Sequence, residues 1–203
     1  MKIILKKRTL HKLIGKEKNI GFVPTMGAIH LGHISLIKKS INECKKTIVS
    51  IFVNKPQFSK KEDYRNYPRV ISKDITMVKK LKVDFLYLAK TKEIYSKGIN
   101  KKIKISSLEK RLCGKSRPGH FKAVVDVIDK FIKIINPKKI YFGKKDLQQL
   151  KIIQDFVKKK FPKIKVVGCK TIREYGGIAY SSRNFLLSNQ EKTNASKIYN
   201  LIK

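Results

Sequence analysis

The run Ile48-Val49-Ser50-Ile51-Phe52-Val53 is apolar at five of six positions. A strand with one wet face alternates polar and apolar residues, whereas one apolar throughout is covered on both faces. Such strands belong to parallel sheets, which need crossover helices, and the rest of the sequence supplies them. Short runs of the same kind are Ile20–Pro24, Thr47–Val53, Val83–Ala89, Lys139–Phe142 and Lys165–Cys169. From Gly119 to Ile135 the apolar residues Phe121, Val124, Val125, Ile128, Phe131, Ile132 and Ile135 step by three and four, until Pro137 stops the helix. A second helix follows Asp146, with Leu147, Leu150, Ile153, Phe156 and Val157 on one face and Pro162 beyond it. The expected fold is α/β: a doubly wound, Rossmann-like parallel sheet with flanking helices and a short C-terminal helical stub over 189–203. Residues 174–184, with Gly176-Gly177 and two serines, read as a loop or hinge.

The formal charge of +35 invites a nucleic-acid reading. Only seven of the 49 basic residues are arginine, however, and the 42 lysines run along the whole chain rather than forming a stripe. Lys, Ile and Asn share A/T-rich codons, so compositional drift explains the charge better than a specific nucleic-acid surface. No apolar run approaches the roughly 20 residues needed to cross a bilayer. No apolar stretch of about 7–15 residues with a cleavage site follows the basic start. Cys44, Cys113 and Cys169 are odd in number and widely spaced, which argues against a disulfide framework or a zinc site and for reduced, mostly buried thiols. A cytoplasmic location is expected.

Four segments carry chemistry. In Pro24-Thr25-Met26-Gly27-Ala28-Ile29-His30-Leu31-Gly32-His33 a buried strand ends, a glycine loop follows and a helix starts near Gly32. Strand ends in such sheets meet helix N-termini whose open N–H groups suit phosphate, and Gly27 and Gly32 allow close backbone approach. His30 and His33, three apart, share one face of the first turn and can stabilise charge on one phosphate. The bland alternative is a pair of surface histidines. Phe142-Gly143-Lys144-Lys145-Asp146 is a second strand end, where a lysine can pair with β- and γ-phosphates and Asp146 can hold Mg²⁺, or merely cap a helix. Tyr180-Ser181-Ser182-Arg183 suits a mobile phosphate clamp. In Asn54-Lys55-Pro56-Gln57, neutral amides after a buried strand suit hydroxyl and carboxylate groups.

In order and wording these segments resemble the pantoate–β-alanine ligase (pantothenate synthetase) family of the HxGH nucleotidyltransferase superfamily. The resemblance runs from about Asn19 to Glu191 and includes Tyr67-Pro68-Arg69 and Ser116-Arg117-Pro118-Gly119-His120-Phe121. It implies ATP-dependent condensation of pantoate with β-alanine through a pantoyl adenylate, giving pantothenate, AMP and pyrophosphate, with Mg²⁺ as cofactor. It further implies that ATP is bound by Met26, Gly27, Ala28, Ile29, His30, Leu31, Gly32 and His33, by Gly143, Lys144, Lys145 and Asp146, and by Ile172, Tyr180, Ser181, Ser182 and Arg183. His33 would be an acid-like catalytic histidine, helped by His30 and Lys145. Gln57 and Gln149 would hold pantoate, with Gln57 also near β-alanine, and Asp146 would hold the metal. A homodimer is the implied assembly, with neither membrane nor specific nucleic acid as partner. Lys55, Lys144, Tyr180 and Ala123 stand where family members commonly carry other residues. Residues 1–175 are expected to form the nucleotide- and pantoate-binding domain, and 176–203 a hinge, clamp loop and remnant of a C-terminal lid. A transferase acting on a phosphorylated substrate would share HxGH, but would favour basic residues over Gln57 and Gln149. A decayed polyanion-binding chain is the non-catalytic alternative.

Overall fold

The computed structural model describes residues 1–201. In chain order the elements are β1 (Lys2–Ile4), α1 (Lys7–Ile14), β2 (Ile20–Thr25), α2 (Leu31–Glu43), β3 (Lys46–Ile51), α3 (Lys61–Asn66), α4 (Ile71–Lys80), β4 (Phe85–Leu88), α5 (Thr91–Ile94), α6 (Cys113–Ser116), α7 (His120–Ile135), β5 (Lys139–Gly143), α8 (Leu147–Lys160), β6 (Lys165–Cys169) and α9 (Asn189–Leu201). The strands form one six-stranded sheet in the order β1-β4-β3-β2-β5-β6, every pairing parallel. From β2 the chain winds outward through β3 to β4, then returns along α7 to lay down β5 on the other flank of β2. The order therefore reverses between β2 and β5, which opens a crevice at their carboxyl ends.

Burial follows the pleat. Phe22, Ile48 and Ile140 point into a core with Phe131, Ile152 and Phe156 of α7 and α8. Their sequence neighbours Val23, Val49 and Tyr141 point the opposite way, into a core with Ile37 and Val78 of α2 and α4. Both sheet faces are thus dry, as the unbroken apolar runs require. α7 is wetted even less than its 3.6-residue period demands, since Asp126 and Asp129 are each only 1% exposed. Lys130 lies 3.0 Å from Asp126, and Lys133 and Lys160 lie 2.6 and 2.8 Å from Asp129, so the buried carboxylates are paired.

Three expectations need correction. β1 has no counterpart among the expected strands, because three residues with only Ile4 buried leave no period to read. β3 ends at Ile51 rather than Val53: beyond it the chain tightens into a 3₁₀ turn, Lys55–Gln57, in which the Gln57 N–H donates to the Asn54 oxygen at 3.2 Å. The thiols are not mostly buried, for Cys169 is buried, Cys44 half-buried and Cys113 exposed. The C-terminal segment expected to be helical is α9, and Ile202 and Lys203 lie outside the described residues. Among the described residues no helix is long and apolar enough to cross a membrane.

Candidate active site

A cavity of ≈ 380 Å³ occupies the crevice, within the range of small-molecule sites. One wall comes from the β2–α2 loop and the first turn of α2 (Met26, His30, Gly32, His33) and another from the end of β5 and the turn after it (Gly143, Lys145, Asp146). A third comes from the strap Ile172 and Tyr180 to Arg183, and the floor from Gln57, Gln149 and the start of α7. The four segments singled out in the sequence therefore converge on one cavity.

Within those segments Gly27, Ala28, Ile29, Leu31 and Lys144 do not line it. Asp74, 1% exposed on α4, accepts the Ala28 N–H at 2.9 Å and the Ile29 N–H at 2.7 Å. The Gly27 N–H donates to Thr25 Oγ1 at 3.2 Å. These three N–H groups are thus consumed inside the protein and do not face a ligand. Gly27 serves the turn itself: its φ is +82°, and a Cβ there would stand 2.9 Å from Asp74 Oδ2. Leu31 is turned outward, 49% exposed. The exposed Lys144 runs along Gly168 of β6 instead of into the cleft.

His30 is the extended residue preceding α2 and His33 lies in its first turn, with ring centroids 4.0 Å apart. A Cβ on Gly32 would stand 2.9 Å from His30 Cε1, so glycine is what lets the His30 ring fold back over the helix start. The Tyr180 ring lies nearly parallel to that of His30, 6.1 Å between centroids. Burial, then Lys145, depresses His30 to about 4. Burial, then His30 and Lys145, depresses His33 to about 3. Both imidazoles are therefore neutral at neutral pH, and the acid-like role implied for His33 meets surroundings that disfavour its protonated form. The Nδ1 atoms of both rings are buried without a partner among the described residues.

Asp146 precedes α8 but makes no capping hydrogen bond, and its carboxylate lies 3.6 Å from Lys145 Nζ at the rim. Among the described residues no three His, Cys, Asp or Glu side chains gather to hold a metal. On the strap, the Tyr67 hydroxyl and Ser182 Oγ lie 3.0 Å apart, and Arg183 Nη2 lies 2.9 Å from Asp63 Oδ2.

The floor is the most tightly built part. The Asn54 side chain, 1% exposed, donates to Gln57 Oε1 at 3.0 Å and to the Ala123 oxygen at 3.2 Å. His120 Nδ1 lies 2.7 Å from the Gln57 main-chain oxygen, and a carbonyl only accepts, so Nδ1 carries the proton. Sequence reasoning placed Gln57 and Gln149 here and read the Asn54 amide as facing a ligand, whereas Asn54 holds Gln57 and Ala123; Asp74 and His120, which hold the wall and floor, were given no such role. Asn54 was signalled by its position after a buried strand and His120 by being one of only four histidines. Asp74 carries no signal in the sequence.

Comparison with known proteins gives this arrangement relatives. The family model described as pantoate-beta-alanine ligase matches residues 2–203. The pantothenate synthetase of Clostridium botulinum (strain 657 / Type Ba4) is 46% identical over 198 residues, covering 96% of this chain and 68% of that protein. That of Pseudothermotoga lettingae is 43% identical over 180 residues, covering 89% of this chain and 64% of that protein. Among solved structures, the pantoate-beta-alanine ligase of Francisella tularensis complexed with beta-gamma ATP and beta-alanine superposes with a TM-score of 0.90 at 40% identity, over 98% of this chain and 78% of that one. The chain thus spans about two thirds of the length of the curated relatives it matches. A family model matched along the sequence, and relatives this similar over nine-tenths of it, converge with the fold: the chain belongs to the pantoate-beta-alanine ligase family.

Proposed function

We propose that this cleft condenses pantoate with β-alanine at the expense of ATP, giving pantothenate, AMP and pyrophosphate. The observation that carries the proposal is one cavity walled by neutral histidines and a lysine on one side and floored by two glutamines on the other. The likeness to a ligase complexed with beta-gamma ATP and beta-alanine supports the same assignment.

In the first step the pantoate carboxylate attacks the α-phosphorus of ATP, and the bond to the bridging oxygen breaks as pyrophosphate leaves. Neutral His30 and His33 donate hydrogen bonds to α-phosphate oxygens, while Lys145 and Arg183 offset charge on the leaving group. In the second step the amine of β-alanine attacks the acyl carbon of the adenylate, AMP leaves with the bonding electrons, and the nitrogen sheds its proton. No enzyme nucleophile is required, so catalysis rests on positioning and charge stabilisation. Gln57 and Gln149 hold pantoate through its oxygens, Gln57 also lies near β-alanine, and Met26, Gly143, Ile172 and the Tyr180–Ser182 strap enclose the nucleotide. Asp146 is the rim carboxylate that would hold Mg²⁺, which would supply charge neutralisation at the phosphates. The nucleotide- and pantoate-binding unit is 1–175, with 176–203 as hinge and clamp, in a homodimer in the cytoplasm.

The test is release of AMP and pyrophosphate from ATP with pantoate and β-alanine, together and singly. Pantothenate formed only with all three, and lost about 100-fold or more in His33→Ala, is expected. A well-folded protein with no pantoate-dependent pyrophosphate release would overturn the assignment.

A further inference from the structure

The Tyr95 hydroxyl lies 2.7 Å from Oδ1 of Asn54, a residue that lines the cleft while Tyr95 does not. The polarity of this contact is fixed by Ala123. Its main-chain oxygen can only accept, so the atom of Asn54 that meets it must be the nitrogen. The Asn54 oxygen then faces Tyr95, and the tyrosine must donate. The same Asn54 nitrogen meets Gln57, which must turn its oxygen inward. What remains for the cavity is the Gln57 NH₂ group, a donor.

We propose that Tyr95 is a specificity-determining positioning residue, which by donating to Asn54 fixes the donor face of Gln57 toward the cavity and so selects a substrate that presents acceptor oxygens there. Tyr95 lies outside the cavity lining, so it acts through Asn54 and Gln57. Its ring packs beside Phe52, 6.2 Å between centroids, and under Lys130 Nζ at 5.2 Å. Burial, then the Asp126 carboxylate, pushes the Tyr95 hydroxyl well above the ordinary tyrosine pKa, so it keeps its proton and remains a donor. Without that donor the Asn54 oxygen is buried and unpaired. The amide then regains a partner only by rotating, and rotation breaks its bonds to Ala123 and Gln57. The inference rests on Gln57 holding pantoate, although the polarity of the relay does not.

The test is Tyr95→Phe, which keeps the ring against Phe52 and removes only the hydroxyl. Its first arm needs no substrate: side-chain amide ¹⁵N–¹H signals of Asn54 and Gln57, assigned through Asn54→Ser and Gln57→Glu. Both signals are expected to shift in Tyr95→Phe, and a Gln57 signal that stays in place overturns the relay. In the second arm the KM for pantoate is expected to rise about tenfold while the KM for ATP stays within twofold. An unchanged pantoate KM, or equal changes for both substrates, overturns the specificity role. Absence of pantoate-dependent turnover in the unmodified protein would instead count against the ligase assignment, and the amide signals would still decide the relay.

Discussion

The rings of His30 and His33 lie 4.0 Å apart, and both are held neutral, His30 depressed to about 4 and His33 to about 3. On unfolding each would regain an ordinary value near pH 6.5. The folded state binds these protons more weakly, so the stabilisation is complete above about pH 6.5. It is lost as the pH falls toward 4 for His30 and 3 for His33. The slope is at most about 1.4 kcal/mol per pH unit for each histidine. Glu43, drawn down to about 2 by Lys39 and Lys139, loses its contribution only below the ordinary carboxylate range. We expect the urea midpoint to drop between pH 6.5 and 4.5, and His33→Gln to flatten that drop. A midpoint that stays level across this window in the unmodified protein would show that the imidazoles are solvated.

Gly32→Ala separates activity from stability. Position 32 is inside α2, where alanine is preferred to glycine by up to about 1 kcal/mol. The new methyl would meet His30 Cε1 at 2.9 Å and swing a half-buried ring away from the cleft without disturbing backbone. The melting temperature should hold or rise slightly while kcat falls about tenfold or more. Calorimetry paired with initial rates checks it, and an unimpaired kcat would mean that the His30 position is immaterial to the reaction.

How much of this was legible in the sequence varies with the kind of signal. Ile48 and Val49 face opposite cores, and an unbroken apolar run predicts that much, so the sheet and its parallel sense were readable. His30, His33, Lys145 and Gln149 sit just past or at the start of elements whose ends the sequence marks, and strand ends converge in any doubly wound sheet. Asp74 was unreadable because its partners are main-chain N–H groups 45 and 46 residues away, which no side-chain pattern records. For the same reason the glycine loop was given to phosphate when its N–H groups belong to Thr25 and Asp74. Lys144 and Lys145 are adjacent identical residues, and only the local 3₁₀ turn decides that Lys145 alone lines the cleft.

Asp74 should therefore matter to both stability and catalysis. Burial raises its carboxyl above the ordinary range, opposed by the Ile29 and Ala28 N–H groups. In Asp74→Asn one of those N–H groups would face an NH₂ rather than an oxygen, a cost of about 1–3 kcal/mol. The loop it releases leads directly into His30, so kcat should fall together with the urea midpoint. A variant as stable and active as the parent would show that the loop is held by Thr25 and the sheet alone.

Arg183 is paired with Asp63 beside the cleft. Its guanidinium lies 2.9 and 3.1 Å from the two Asp63 oxygens, and 5.7 Å from the centre of the Tyr67 ring. If it is to meet a triphosphate, it must leave Asp63 or share itself between two anions. The pair is open to solvent on both sides, with side chains 47% and 37% exposed, so breaking it costs about 0.2–1 kcal/mol. That cost is subtracted from ATP binding, and removing it corresponds to at most about a fivefold gain in affinity. Asp63→Asn should therefore lower the KM for ATP about two- to fivefold and leave the melting temperature nearly unchanged. The gain should shrink at 0.5 M salt, where screening already weakens the exposed pair. A KM for ATP that rises instead would mean that Asp63 holds Arg183 where the triphosphate needs it, since only then does releasing the guanidinium cost binding energy.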